Sequence, residues 1–302
     1  MTSIRTVAAA LAATALAVAG CGADEDPLAG GGSDDGSITV GSANFPEAVL
    51  LGEIYAQALE AQDVEVQRNL NIGAREIYIR AIEDGSISLL PEYTGNLLLY
   101  YDKSSRETDP EQVYEDLEQA LPEELTVLEM SEAVDQDELV VTQETAEKYD
   151  LETIADLEPV ADQLVVGGSA EFRTRQAGLP GLEDVYGLEF AEFETLDVAG
   201  PLTVEALTSG AVDVARLFST QSVIETEDFV VLDDPKNVSI PQNVLPLIRS
   251  DALTDEIGTT LDSVSAALTT EVLADMVARL EVDKDSPEQV AEDFLADNDL
   301  DG

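Results

Sequence analysis

The chain echoes itself. Gly41-Ser42-Ala43-Asn44-Phe45 follows a first strand-like run, SITVGS, and Gly168-Ser169-Ala170-Glu171-Phe172 follows another, LVV at 164–166, at an offset of 127. AIEDGSISLLPEYTG (81–95) aligns with ALTSGAVDVARLFST (206–220) at an offset of 125. In both copies a helix-like stretch ends at glycine (Gly85, Gly210) and a strand-like run follows. An aromatic and a hydroxyl residue close each run, Tyr93-Thr94 and Phe218-Ser219. One such match would be weak, because strand–glycine–helix turns are common. Two in the same order at nearly equal offsets predict two similar α/β lobes of about 100 residues each, with coincidence as the alternative. In open α/β sheets ligands lie beyond the carboxyl ends of the strands, where all four echoed segments fall. Phe45, Tyr93, Phe172 and Phe218 are therefore candidate cleft walls. Core packing is the competing role for each, yet aromatics make up only 5 % of the chain, so four at matched positions favour a site.

The rest of the pattern agrees with such lobes. EAVLLGEIYAQALEA places Val49, Leu50, Ile54, Ala58 and Leu59 on one helical face. A strand is expected at 64–66, a helix at 74–83, a strand at 87–90, and a helix over 110–121 that opens on Pro110. Later runs at 202–210, 212–218 and 229–232 continue the alternation. From there the chain reads as three helices beginning near Asp251, Thr269 and Ser286. Ser286-Pro287-Glu288-Gln289 offers an N-cap, a first-turn proline and a capping-box glutamine. Alternation of this kind predicts α/β architecture with mainly parallel sheets.

Charge removes whole classes of function. Against 64 Asp and Glu stand 14 Lys and Arg, with no His, giving a formal net charge of −50. Such a surface repels phosphate, which excludes nucleic acid as a partner. Without histidine there is no Ser-His-Asp or Cys-His triad and no His-ligated zinc. Hydrophobic residues still reach 44 %, enough for a packed core. An excess of like charge this large is best tolerated where salt screens it, which predicts a salty, halophilic setting.

Residues 1–21 carry Arg5 and then an apolar run of small residues too short to span a bilayer, as an export signal does. The run closes on Val18-Ala19-Gly20-Cys21, which resembles a bacterial lipobox, so Cys21 is the expected lipidation site. A buried helix with a chance cysteine is the alternative. It is the only cysteine, and no disulfide can form within the chain. Residues 22–37 are rich in Gly, Ser and Asp and read as a flexible tether to the membrane.

The segments GSANFPEAVLLGEIYAQALEA, NIGAREIYIRAIEDGSISLLPEYTGNLLLYYD, EFRTRQAGLPGLEDVYGLEF and LDDPKNVSIPQNVLPLIR resemble the substrate-binding proteins of osmoprotectant ABC transporters, the glycine betaine and choline group. PEYTG is the most specific of them, and the resemblance spans essentially all of the chain after the tether. It implies a two-lobed, type II periplasmic-binding-protein fold with the ligand cleft between lobes that close by hinge bending. On that pattern lobe 1 is 38–140 and 244–302 and lobe 2 is 141–243, with crossings near 137–141 and 241–247. The implied protein is a monomeric receptor without enzymatic activity, cofactor or metal, held by lipid on the outer face of the cytoplasmic membrane. Its partners are a small osmolyte and the permease subunits of an ABC transporter.

A quaternary ammonium cannot donate a hydrogen bond, so it is recognised by aromatic faces and nearby carboxylates. Matched to the family, Tyr93 and Tyr186 fall at cage positions and Asn96 at a polar contact. Asn44 to Glu47 lie at a ligand-contacting turn, and Arg75-Glu76 follows a strand end. Thr94, Ser219 and Gln242 complete the expected set. Two departures stand out. Ile240-Pro241-Gln242 replaces a segment that elsewhere carries a cage tyrosine, and Val134-Asp135-Gln136-Asp137 offers carboxylates in place of an aromatic. Asp135 and Asp137 either face the cation or belong to a solvated acidic loop. Arg75 and Arg173 either clamp a ligand carboxylate or sit in structural ion pairs. Another small zwitterion, such as an amino acid, is the alternative ligand; an acidic cell-surface module is the alternative role. The tail at 297–302 begins like an EF-hand loop but ends before the twelfth-position glutamate, so it is read as an acidic tail.

Overall fold

The computed structural model describes residues 37–302. The expected signal segment, Cys21 and all but the last residue of the expected tether lie outside that range. That last residue, Ser37, is buried and accepts a hydrogen bond from Gln67 at 3.1 Å, so it belongs to the first lobe rather than to a linker.

Ten strands follow in chain order: β1 (Ile38–Ala43), β2 (Val66–Gly73), β3 (Leu89–Tyr93), β4 (Leu125–Val127), β5 (Asp137–Val141), β6 (Val165–Gly168), β7 (Glu192–Thr195), β8 (Val214–Phe218), β9 (Val230–Val231) and β10 (Val244–Arg249). They form two five-stranded sheets of order β2-β1-β3-β10-β4 and β7-β6-β8-β5-β9. The echo is thus a topological repeat. In each sheet three strands run parallel and a fourth lies antiparallel (β10 on β3, β5 on β8). The two echoed glycines perform the same task. Gly85 and Gly210 adopt φ of +82° and +73°, the left-handed conformation that ends a helix before the next strand.

Central strands are buried on both faces, and alternation along them sorts side chains into separate cores. On β3 and β10, Leu89, Tyr93, Val244 and Ile248 face the core under helices Pro46–Glu60, Asp255–Ala267, Thr270–Ala278 and Pro287–Asp297. Leu90, Leu245 and Leu247 face the opposite core, under helices Arg75–Glu83, Thr94–Tyr101 and Pro110–Ala120. The C-terminal helices therefore complete the first lobe, and Leu300 of the expected acidic tail packs against its core. Thr254, Thr269 and Ser286 each cap their helix through a side-chain oxygen. Gln289 does not close the expected capping box; its amide bonds Glu292 and Asp293 instead.

The crossings differ from the sequence expectation. Asp137–Val141 is not a linker but β5 of the second sheet, and the chain passes between the sheets over 128–136. The return passes at 232–243, before β10 begins. The two passing segments run side by side: Val134 bridges Asn243, and the Asp135 amide donates to the Gln242 carbonyl at 3.2 Å. Gly95 of the PEYTG segment is needed here, since a Cβ at that position would stand 2.5 Å from the Pro241 carbonyl oxygen.

Candidate functional site

The carboxyl ends of β1, β3, β6 and β8 converge where the two sheets face each other. Proline at the first turn of helix Pro46–Glu60 leaves Phe45 as its extended N-cap (φ −137°, ψ 156°), projecting across the gap. Its ring stacks on Phe218 of the other lobe at a centroid distance of 5.0 Å and on Tyr93 at 6.1 Å. Arg216 lies on Phe218 as well, its guanidinium 4.4 Å from the ring centroid. Three of the four echoed aromatics thus form one wall system between the lobes. Phe172 does not join them. It sits in a tight turn, Ala170–Arg173, folds back against Gly168 and stacks on Phe193 in the core of the second lobe.

Behind the aromatics lies a buried acid pair. Glu47 enters from the first turn of its helix and Asp135 from the first crossing, and both are almost fully buried. Tyr93 donates to Glu47 Oε1 at 2.6 Å, and Thr220 donates to Glu47 Oε2 at 2.6 Å while lying 3.1 Å from Asp135 Oδ1. Because Thr220 belongs to the second lobe, these bonds hold the lobes together. Burial raises the carboxyl pKa of Glu47; burial and the charge of Glu47 raise that of Asp135 well above the usual range. Both shifts have the same leading cause, burial, and favour the protonated form of each carboxyl over its charged one.

Around it stand three arginines. Arg75 opens helix Arg75–Glu83 just after β2 and makes a two-pronged pair with Glu92 at 2.8 and 2.9 Å. Glu92 sits in the fully buried β3 and survives there because Tyr78 (2.7 Å) and the Tyr93 amide (2.9 Å) also donate to it. Burial works against the charge on Arg75, but the Glu92 carboxylate outweighs it and holds the guanidinium charged. Arg216 pairs with Asp137, and Asn96 donates to the same carboxylate at 3.0 Å from the first lobe. Arg175 reaches across the gap to Glu76 at 2.8 and 3.0 Å, and that hydrogen-bonded pair pulls the Glu76 carboxyl down to about 2. The space these groups enclose is small, about 40 Å³.

The structure places the other expected residues as follows. Asn44 lies at the rim of the cavity and is exposed. Thr94 and Gln242 are buried at the crossings: Thr94 bonds the Pro241 carbonyl (2.9 Å) and the Asn243 amide (3.0 Å), and Gln242 accepts from the Asn96 amide (2.9 Å). Ser219 is exposed and caps the first crossing by accepting from the Gln136 amide at 2.8 Å. All three hold the hinge and do not line the cavity.

Two expectations are corrected. Tyr186 points away from the cavity. The glycine that follows it ends its helix, and its hydroxyl donates to Asp234 at 2.6 Å with Lys236 over its ring. Arg173 is exposed and lies over Phe193, 4.8 Å from the centroid. The cleft arginine of that segment is Arg175, two residues on. Arg175, Arg216, Glu92, Tyr78 and Thr220 were missed. Arg216 and Thr220 lie inside the echoed segment 206–220, and a basic residue in so acidic a chain was the signal that could have singled out Arg216.

A family model described as the substrate-binding domain of ABC-type glycine betaine transport systems matches residues 36–297. The chain belongs to this family. The glycine betaine-binding protein YehZ of Escherichia coli K12 is 28 % identical over 273 residues, covering 85 % of this chain and 89 % of that protein. The carnitine transport binding protein OpuCC of Listeria monocytogenes is 24 % identical over 275 residues, covering 89 % of each. Among solved structures, apo YehZ from Escherichia coli superposes with a TM-score of 0.60 at 26 % identity, covering 87 % of this chain and 99 % of that one. A glycine betaine/carnitine/choline ABC transporter protein superposes with a TM-score of 0.68 at 23 % identity, covering 88 % and 100 %, and so shares the fold. As a member of a substrate-binding family of transport proteins, the chain is not an enzyme.

Proposed function

We propose that this protein is an extracytoplasmic receptor that captures a quaternary-ammonium osmoprotectant (glycine betaine, choline or carnitine) between its lobes and delivers it to an ABC permease. One observation carries the reading of the site. The Phe45, Tyr93 and Phe218 rings meet at the lobe interface directly in front of the buried Glu47–Asp135 pair. Aromatic faces and carboxylates are what a permanent cation without N–H donors requires. The enclosed space is small, about 40 Å³, so the ligand enters by parting Phe45 from Phe218. The cation then lies against the acid pair and favours its ionised form, opposing the upward shifts that burial gives it.

Relatives named for glycine betaine and carnitine support the ligand class. The lipobox-like Val18-Ala19-Gly20-Cys21 supports lipid attachment at Cys21 on the outer face of the membrane, and the −50 net charge supports work in high salt as a monomer. Calorimetry in high salt with glycine betaine, choline, carnitine and proline betaine tests the ligand class. Heat from an ordinary amino acid or sugar, with none from these four, would overturn it. Lipid attachment is checked by exporting the Cys21→Ser variant, which is expected to be released from the membrane.

A further inference from the structure

Among the described residues, eight that are not glycine adopt the left-handed backbone conformation, and six of these are Asp or Asn, which tolerate it best. The other two, Ala199 and Lys284, belong to different lobes and border the same groove, an interlobe space of about 600 Å³. Ala199 (φ +53°) is buried, follows Val198 of the inner cavity and precedes helix Pro201–Thr208. Lys284 (φ +62°) ends a π-helical turn, Arg279–Asp283, in which the Lys284 amide reaches back to the Arg279 carbonyl. Such conformations cost energy and persist only where neighbouring contacts enforce them.

One side chain joins the two strained segments. Gln221 Nε2 donates to the Ala199 carbonyl at 2.9 Å and, across the gap, to Glu281 Oε1 in the π-helical turn, also at 2.9 Å. Gln221 Oε1 accepts from the Phe218 amide at 3.1 Å. Ser222 adds a longer bond to Glu281 Oε2 at 3.4 Å. A carboxamide has two N–H groups and one carbonyl oxygen to give. Those of Gln221 are divided between the residue behind Val198, the residue that carries an aromatic wall and a carboxylate of the other lobe. Neither Gln221 nor Glu281 lines the inner cavity. Both border the groove together with Pro46, the neighbour of Phe45, so they meet behind the aromatic wall.

We propose that Gln221 and Glu281 form a latch that positions Phe218 and holds the lobes closed on the ligand without touching it. The inference rests on the reading of the inner cavity as the ligand seat and adds to it how closure is maintained. Entry of a ligand parts Phe45 from Phe218, and the same movement breaks the Gln221–Glu281 bond, because its two ends lie on different lobes. Gln221 is then left with bonds inside the second lobe alone. A contact made only in the closed state raises affinity through the closure that it stabilises, and by the same factor for every ligand that the closed lobes retain. The Arg175–Glu76 pair also spans the lobes, but neither side chain bonds the backbone of a wall residue.

The test is calorimetry and stopped-flow tyrosine fluorescence on the purified chain at one fixed high salt concentration, with choline, glycine betaine and carnitine. Gln221→Ala and Glu281→Ala are each expected to weaken all three ligands by a common factor of about three to ten, through faster release at an unchanged association rate. The double variant is expected to lose no more than the weaker single variant. Glu281→Gln can still accept from Gln221 and is expected to stay within about twofold of the unsubstituted chain. Equal losses in Glu281→Gln and Glu281→Ala would assign the effect to charge and overturn the latch. Additive losses in the double variant, a loss confined to one ligand, or affinities that Glu281→Ala leaves unmoved also overturn it, and all of these leave the receptor function standing. No heat from any of the three ligands with the unsubstituted chain overturns the reading of the cavity and the latch with it. Glu281 is partly exposed, so its two variants decide the matter even if Gln221→Ala is lost to misfolding.

Discussion

In the first lobe both echoed aromatics, Phe45 and Tyr93, face the cleft; in the second, Phe218 does and Phe172 does not. The strands that carry them occupy equivalent places in sheets of the same order. What differs is the first turn after the strand. Pro46 starts a fifteen-residue helix immediately beyond Phe45 and leaves that residue extended. After β6 the chain instead winds into a short turn that carries Phe172 back over Gly168. A repeated topology fixes where a strand ends. The conformation of the next few residues decides whether the side chain there meets ligand or core.

This contrast can be broken experimentally, and the largest effect belongs to the core member. Phe172→Ala is expected to cost about 3–5 kcal/mol of folding stability, the usual range for emptying a phenylalanine site, with ligand affinity in the surviving folded fraction within about twofold. Denaturant titration and calorimetry read the two quantities separately. A loss of affinity without a loss of stability would put Phe172 in the site after all.

Next is the hinge. Gly95→Ala places a methyl group against the Pro241 carbonyl and is expected to cost about 1–3 kcal/mol through forced backbone shifts, read as a lower Tm. An unchanged Tm would mean that the crossing segments separate without strain.

Phe218→Ala should show the reverse profile of Phe172→Ala. Loss of one aromatic face weakens cation binding by about tenfold, the equivalent of roughly 1–2 kcal/mol. Equal losses in both variants would erase the distinction between the lobes. The corresponding tyrosine contrast is smaller. Tyr186→Phe removes a hydrogen bond to Asp234 and is expected to cost about 1 kcal/mol of stability with no change in ligand affinity.

The smallest effects are in pH, and the two interlobe carboxylate groups give opposite slopes. Glu76 is depressed to about 2 by Arg175. Its contribution to stability is fully present above the unfolded value of about 4.3 and is lost as pH falls towards 2. Both partners are partly exposed, so the pair is worth at most about 1 kcal/mol. Glu47 and Asp135 are shifted upwards. The folded state there keeps protons that the unfolded chain has released, so stability declines as pH rises above about 4. Asp135→Asn is expected to flatten this second slope and leave the first. Binding of the cation to the unsubstituted chain is expected to release protons, measurable as calorimetric heats that depend on the buffer's ionisation enthalpy.

The repeat, the helix ends at Gly85 and Gly210 and the alternation of apolar runs were all legible locally, because they depend on φ preferences and on side-chain periodicity. So were Phe45, Tyr93, Asn96, Arg75 and Asp135 as residues near the cleft, since each stands at or just beyond the end of a strand or at the crossing. The boundary of the second lobe was not. DELVV at 137–141 reads equally well as linker or strand until β8 and β9 are beside it.

Sequence by itself determined a charge that excludes nucleic acid, a doubled α/β pattern and the strand ends at which a site must lie, because composition and periodicity are properties of neighbours along the chain. Only the tertiary structure decided that Arg175 rather than Arg173 crosses to Glu76, that Tyr186 serves Asp234, and that Glu47 and Asp135 are buried together around the Thr220 hydroxyl. Thr220 and Glu47 are 173 positions apart and belong to different lobes. A carboxylate's pKa and a guanidinium's partner depend on what is packed within a few ångströms, and for these residues the hydrogen-bonding partner arrives from a distant part of the chain.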